Sequence, residues 1–338
     1  MGSFYPAGDE HVLVFEVTGR IVPEGGSPLT CGAVVTNVET ALNILNAWKH
    51  EMPVVDSYLT VTGAVREPKT VKLPIGTPIK EAIARAGGTT VNDYVVINGG
   101  PMMGKLVSLD STVTKTTKGL IVLPRDHSLI ASLTKPLERS IKEAGAACMQ
   151  CSQCSITCPR GLLGHRIEPH KLMRVAAYGG TCDINAGLVN AFLCSGCRLC
   201  EYSCVMGLQP WKLNNFLKGE LAKNGIKNPL HDQPQQADPF RNYKRYPTDK
   251  LIRSLGLGAY DVPAPMEEQE YIVRRVELLL RQGVGAPAVP VVEVGQRVER
   301  GALIAEIPDG KLGSCLHASI SGIVEAVTEE KIILAAQV

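Results

Sequence analysis

The sequence predicts a multidomain α+β chain, and three observations carry that prediction. Residues 53–125 read as strands returning around one helix, the pattern of a small β-grasp unit. Residues 136–225 read as helices interrupted by two runs of closely spaced cysteines. Residues 285–338 alternate apolar and polar positions between glycines, as a small all-β unit does. A chain of 338 residues accommodates two or three such domains at roughly 150 residues each.

Hydrophobic residues make up 45% and charged residues 20%, which excludes disorder over the whole chain. Lys and Arg number 35 against 33 Asp and Glu, a net charge of +2, and aromatics are only 5%. Neither a general positive field nor a base-stacking platform is present, so nucleic acid is not an expected partner. No apolar run approaches the roughly 18 residues a membrane helix needs. The N-terminus also lacks the basic-then-apolar pattern of a secretory signal, so neither membrane insertion nor secretion is expected.

Along residues 1–52, Val12–Val17 reads as a buried strand and Pro23–Pro28 as a turn-rich stretch. A helix is expected to start near Asn37, because Val38, Ala41, Leu42, Leu45 and Trp48 recur at helical spacing and Thr36 or Asn37 can cap it. Within 53–125, strands are expected at Ser57–Val65, Thr70–Leu73, Tyr94–Asn98 and Leu120–Leu123. The helix between them carries Pro78 in its first turn and stops at Gly87 and Gly88. Residues 226–284 are expected to hold an extended wrap, Asn228–Pro265, followed by a helix over Glu267–Arg281. Arg241, Lys244, Arg245 and Lys250 interleave with Tyr243 and Tyr246, but Asp232, Asp238 and Asp249 dilute that charge, which suits a docking segment better than a nucleic-acid site.

The cysteines carry the chemistry. The chain has 11 of them, and without a secretory signal they read as metal ligands or catalytic thiols rather than disulfides. Two runs stand out, Cys148-x2-Cys151-x2-Cys154-x3-Cys158 and Cys194-x2-Cys197-x2-Cys200-x3-Cys204. This is the spacing of two-cluster ferredoxins, in which the fourth cysteine of each run ligates the other cluster. Three thiolates two residues apart wrap three corners of a 4Fe-4S cube with one tight turn of backbone, and the fourth corner must be met from elsewhere. The expected ligands are therefore Cys148, Cys151, Cys154 and Cys204 for one cluster, and Cys194, Cys197, Cys200 and Cys158 for the other. Ser152, Ser155, Ser195 and Gly196 let the backbone approach the sulfurs.

Structural zinc sites, the competing reading, usually pair C-x2-C motifs across roughly a dozen or more residues, a poor fit to a triple motif occurring twice. A zinc-stabilised scaffold with no redox role remains the alternative of another class. Cys31, Cys182 and Cys315 read as buried thiols, and the spacer holding Cys182 as an additional helix. With four thiolates each, the clusters keep no open position for substrate, so electron transfer is the expected chemistry and no catalytic residue is assigned.

Further motifs carry a resemblance. Tyr5–Glu10, Thr18–Arg20, Pro23–Gly26 and the Asn-Val-Glu-Thr of Asn37–Thr40 are followed by Thr60–Gly63, Gly99–Gly104, the doubled cysteine motif, Gly161–His165 and Met206–Pro210. Together they resemble the Rnf-complex C subunit family, most of all its branch of cobalamin reductases from propanediol-utilisation microcompartments. The flavin subunit of respiratory complex I is more distantly similar. The resemblance implies a partial flavin domain over residues 1–52, a β-grasp domain of the soluble-ligand-binding (SLBB) type over 53–125, and a lipoyl-type barrel-sandwich unit at 285–338 containing His317–Gly322. The barrel's C-terminal position favours the microcompartment branch over the alternative, a peripheral subunit of an Rnf-type membrane ion-pumping oxidoreductase. Lys311 lies in the turn where a lipoyl domain carries its swinging lysine, but has no flanking methionine and is read as structural.

The resemblance further implies that Tyr5, Gly8, Asp9, Glu10, Val35, Asn37 and Thr40 face flavin mononucleotide (FMN). The family's Gly-rich phosphate loop is missing, as if roughly the first hundred residues, about one domain, were absent; NADH is implied only with that domain intact. By the same resemblance electrons pass from NADH and flavin through two 4Fe-4S clusters to a corrinoid or another redox acceptor. The implied partners are redox proteins, corrinoid-metabolism proteins and the microcompartment shell, and the implied location is the cytoplasm, inside or at that shell.

Overall fold

The computed structural model describes residues 2–178, 187–234, 236–269 and 271–336. The expected helix around Cys182 lies outside the described residues. Two compact units divide the chain, one of residues up to Val35 with Ser128–Gly258, the other of Thr36–His127 with Ala259 onward.

The first unit is helical. Glu10–Thr18 is an α-helix, not the strand expected over Val12–Val17. The run is apolar apart from Glu16, and periodicity cannot separate a buried strand from a buried helix in so short an apolar run. Local chemistry decides: the Asp9 carboxylate accepts the N–H groups of His11 and Val12 at 3.1 and 3.3 Å, and the helix ends at Gly19. His11, Val12 and Val14 are buried, and Phe4, Val12, Ile21 and Leu163 form a small apolar cluster. Phe4–Tyr5 pairs antiparallel with Tyr246–Pro247.

The segment after Asn228 is not wholly extended, for it contains short helices at Arg241–Lys244 and Thr248–Ser254. Its cations are engaged. Arg241 and Arg245 both pair with Glu16, Lys244 pairs with Asp238 at 2.5 Å, and Arg245 lies over the Phe4 ring at 4.3 Å. The basic and aromatic interleaving thus clamps this segment to the N-terminal helix.

In the second unit, five strands form one sheet in the order Lys69–Pro74, Asp56–Gly63, Gly119–Pro124, Tyr94–Asn98, Lys105–Val107. Asp56–Gly63 and Gly119–Pro124 run parallel and the other pairings are antiparallel. The helix Ile79–Arg85 packs Ile79, Ala82 and Ile83 against Leu59, Val61, Leu120 and Val122, giving the expected β-grasp core. Asn37 caps the helix Val38–His50 by accepting from Glu39 N at 3.0 Å.

The C-terminal barrel sandwich sets a four-stranded sheet, Arg297–Val298, Gly322–Val327, Lys331–Ala335 and Arg275–Leu279, against a three-stranded one. Arg275–Leu279 corrects the helix expected over Glu267–Arg281. It is an edge strand paired antiparallel with Lys331–Ala335, and the all-β unit therefore begins before residue 285. Val276, Leu278 and Leu280 are buried between half-exposed neighbours, a period of two that the surrounding charges disguise as a helical face. Val276 and Leu278 join Val298, Ile304, Leu316, Val324 and Ile332 in the barrel core, where Ile75 of the β-grasp also packs.

Gly63 shows how tightly the β-grasp sheet closes. It sits at φ 94°, and an added Cβ would lie 2.1 Å from the Val122 carbonyl oxygen and 2.9 Å from its nitrogen. Both the dihedral and the neighbouring backbone exclude a side chain there. Gly63→Ala is expected to destabilise the protein by about 2–4 kcal/mol, read as a lowered denaturation midpoint. An unchanged midpoint would contradict this register.

Candidate metal centre

Both cysteine runs are built on one local plan in the first unit. The helix Leu137–Ala147 ends at Cys148, whose N–H donates to Ala144 O at 3.1 Å, and the short turn Val189–Leu193 ends likewise at Cys194. In each run the residue two after the first cysteine takes a left-handed backbone, Gln150 at φ 55° and Gly196 at φ 70°. The residue four after it does the same, Ser152 at φ 63° and Arg198 at φ 66°. A single helical turn follows, Gln153–Ile156 carrying Cys154 and Leu199–Tyr202 carrying Cys200. Side-chain-bearing residues held left-handed cost about 1–2 kcal/mol each, so the repeat of this shape in both runs marks it as required by what the loop surrounds. Glycine meets that requirement without cost at Gly196 alone.

Cys148, Cys151, Cys154 and Cys204 line a single cavity together with His170 and Met173. Cys158, Cys197 and Cys200 are buried and Cys194 is half-buried, whereas Cys151 is exposed. Burial pushes the Cys154 thiol up to about 12, reinforced by Cys204 and Cys148. Burial likewise raises Cys158 to about 12, reinforced by Cys197. Cys200 is raised by burial, then by Cys197, Cys194 and Cys158, and in smaller part by Cys154 of the other group. Each fourth cysteine thus lies among the first three of the opposite run, and the two groups adjoin. Among the described residues no three His, Cys, Asp or Glu side chains converge as ligands of one ion would.

Two amides complete the sulfur environment. Gln150 Nε2 donates to Cys148 Sγ at 3.1 Å and to His170 O at 3.1 Å, and Asn214 Nδ2 approaches Cys194 Sγ at 3.9 Å. Sequence reasoning missed both: Gln150 is an unremarked residue inside its run, and Asn214 stands on the helix Pro210–Lys223 with no local signal. Behind the second run, Arg198 stacks over Trp211 at 4.6 Å and lies 3.5 Å from Glu201, which accepts from Trp211 Nε1 at 2.6 Å.

Of the residues expected at a flavin, Tyr5, Gly8, Asp9, Glu10 and Val35 lie in the first unit, and Asn37 and Thr40 in the second. The Tyr5 hydroxyl donates to Cys197 O at 2.9 Å. Asp9 caps the helix with one oxygen and meets Arg160 Nη2 at 3.1 Å with the other. Gly8 and Glu10 are exposed, Val35 is half-buried, and Asn37 and Thr40 are exposed at the start of their helix. Segment Tyr5–Asp9 therefore abuts the group containing Cys197.

Paired thiol groups on a ferredoxin-like plan, in a chain that also carries a β-grasp and a barrel sandwich, define an iron–sulfur electron-transfer protein of the RnfC-like kind. The 4Fe-4S dicluster domain family matches residues 147–209, the SLBB domain 58–106, the RnfC barrel sandwich hybrid domain 265–338 and the Nuo51 FMN-binding domain 1–46. The chain is 44% identical over 331 residues to the cobalamin reductase PduS of Salmonella typhimurium, covering 97% of this chain and 72% of that protein. It is 42% identical to PduS of Citrobacter freundii over the same shares. The C subunit of the proton-translocating ferredoxin:NAD(+) oxidoreductase complex of Clostridium ljungdahlii is 38% identical over 47% of this chain and 32% of its own length. The chain belongs to the cobalamin reductase PduS family.

A pair of histidines lies between the N-terminal helix and the first cysteine run. The His11 and His165 rings meet edge to face at 5.3 Å, and His165 Nε2 donates to Val22 O at 3.0 Å. Burial, then the Arg160 charge, then His165, hold His11 down at about 3. A base whose folded pKa is lowered binds its proton more readily when unfolded, so stability falls as pH drops from about 6.5 towards 3. Replacing His11 with Phe is expected to flatten that acid loss relative to the unaltered protein, measured by denaturation midpoints across this range. Parallel curves would mean that His11 is protonated in the fold.

Proposed function

We propose that this protein carries electrons from a reduced flavin to a corrinoid acceptor. In this reading Cys194, Cys197, Cys200 and Cys158 would hold the 4Fe-4S cluster on the entry side, and Cys148, Cys151, Cys154 and Cys204 would hold the one on the exit side. The observation that carries this order is the asymmetry of the thiol groups: one is buried behind Tyr5 and Asp9, in the segment that matches an FMN-binding domain, and the other reaches the surface at Cys151. Each cluster, when bound, takes up one electron and passes it on without making or breaking bonds to substrate. The residues of this chain bring the two groups together, exclude water from the inner one, and supply amide donors from Gln150 and Asn214.

The corrinoid acceptor rests on the relatives named cobalamin reductase, while the NADH origin of the electrons and a place inside or at the shell of a bacterial microcompartment rest on the family resemblance of the sequence motifs. No helix among the described residues is long and apolar enough to cross a membrane. A corrinoid assay follows from this reading: anaerobically purified protein, reduced by a flavin donor, is expected to convert cob(III)alamin to cob(II)alamin, followed by absorbance.

The ligand sets are tested by metal content and electron paramagnetic resonance (EPR). The intact protein is expected to hold about eight irons. Cys204→Ala is expected to abolish the same EPR signal as Cys151→Ala and to leave about half the iron, while Cys158→Ala abolishes the other signal. Cys31→Ala and Cys315→Ala should change neither. If Cys204→Ala instead removes the signal lost in Cys200→Ala, the ligands are not crossed.

A further inference from the structure

Arg160 follows Cys158 and Pro159 in the chain, and its side chain is 12% exposed. Asp9 engages its Nη2, but Nε and Nη1 are buried with no hydrogen-bond partner among the described residues. A buried donor left unpaired costs about 1–3 kcal/mol, and a guanidinium carrying two of them points to an acceptor that protein atoms do not supply. The guanidinium sits at the inner thiol group: Arg160 lies two residues after Cys158, and its partner Asp9 ends the segment whose Tyr5 hydroxyl donates to Cys197 O at 2.9 Å. Other cations stand at this group too: Lys218 donates to Cys194 O at 3.4 Å, and the buried Arg198 follows Cys197 in the run.

We propose that Arg160 sets the reduction potential of the inner cluster, stabilising its reduced form through its charge and its two unpaired donors, and that Asp9 limits how far it does so. The inference rests on the ligand set Cys158, Cys194, Cys197 and Cys200. An added electron makes the cluster more negative, so a fixed nearby cation favours reduction, and its carboxylate partner subtracts from that effect. Arg160 is thus a positioning residue for electron entry, making the inner cluster the readier acceptor from the flavin side.

The test is a redox titration of the full chain followed by EPR. In Arg160→Gln, one of the two midpoints is expected to fall until the oxidised-to-reduced ratio at fixed potential rises about tenfold, ~59 mV for one electron, while the other midpoint stays in place. Arg160→Lys should recover part of the shift. Asp9→Asn, which keeps a helix-capping side chain, should move the same midpoint upward. Unchanged midpoints in Arg160→Gln with full iron content, or equal shifts of both, would overturn the inference. If Arg160→Gln loses iron, Asp9→Asn decides alone: an upward shift of one midpoint supports the inference, and no shift or a downward one overturns it. An unaltered protein with fewer than two EPR-active clusters would instead overturn the proposed function.

Discussion

Sulfur proximity is the constraint on which the first unit depends. Two runs of four cysteines come together, and burial together with neighbouring thiols makes Cys154, Cys158, Cys197 and Cys200 weaker acids than ordinary thiols. Such thiols release their protons to solvent only as their sulfurs bind a metal cation, so metal loading and completion of this unit are coupled events. The left-handed residues at Gln150, Ser152 and Arg198 belong to the same requirement, since they turn each loop around its contents at the expense of local strain. The helices Leu137–Ala147 and Pro210–Lys223 are the frame that keeps that strain in place, through Ala144, Leu213, Leu217 and Leu221.

The N-terminal segment is fastened to this frame by charge and rings. Glu16 receives Arg241 and Arg245, Asp9 receives Arg160, and the buried Glu24 receives both the backbone and the guanidinium of Arg166 at 2.6 and 2.9 Å. Removing one partner of such a buried pair costs more than the pair contributes when intact. The part of the FMN-domain match up to Val35 is therefore an integral part of the iron–sulfur unit, sharing its hydrogen bonds as far as Cys197 O.

Legibility in the sequence followed periodicity and spacing. The strand Tyr94–Asn98, the helix capped by Asn37 and the doubled cysteine motif were readable because each has a local pattern with one structural meaning. Val12–Val17 misled because a short run that is apolar but for Glu16 shows no clear face, and the Asp9 cap and Gly19 mark it as a helix. Glu267–Arg281 misled for the opposite reason: charges at Arg274, Arg275 and Glu277 hide an alternation that becomes meaningful only once Lys331–Ala335 pairs beside it. Gln150, Asn214 and Arg160 gave no sign of their importance because their partners lie in other elements, as far away in the chain as Asp9.

The exposure of Cys151 has a further consequence for survival in air. With the ligands crossed as proposed, dioxygen and peroxide reach one cluster at its surface corner while the other is sealed behind Cys158, Cys197 and Cys200. Oxidative damage then begins at the outlet, and a molecule so damaged stops delivering electrons while keeping its inner cluster and its N-terminal clamp. With the ligands so arranged, the exposed corner would work as a fuse: it would fail first and interrupt the current before the buried group is reached.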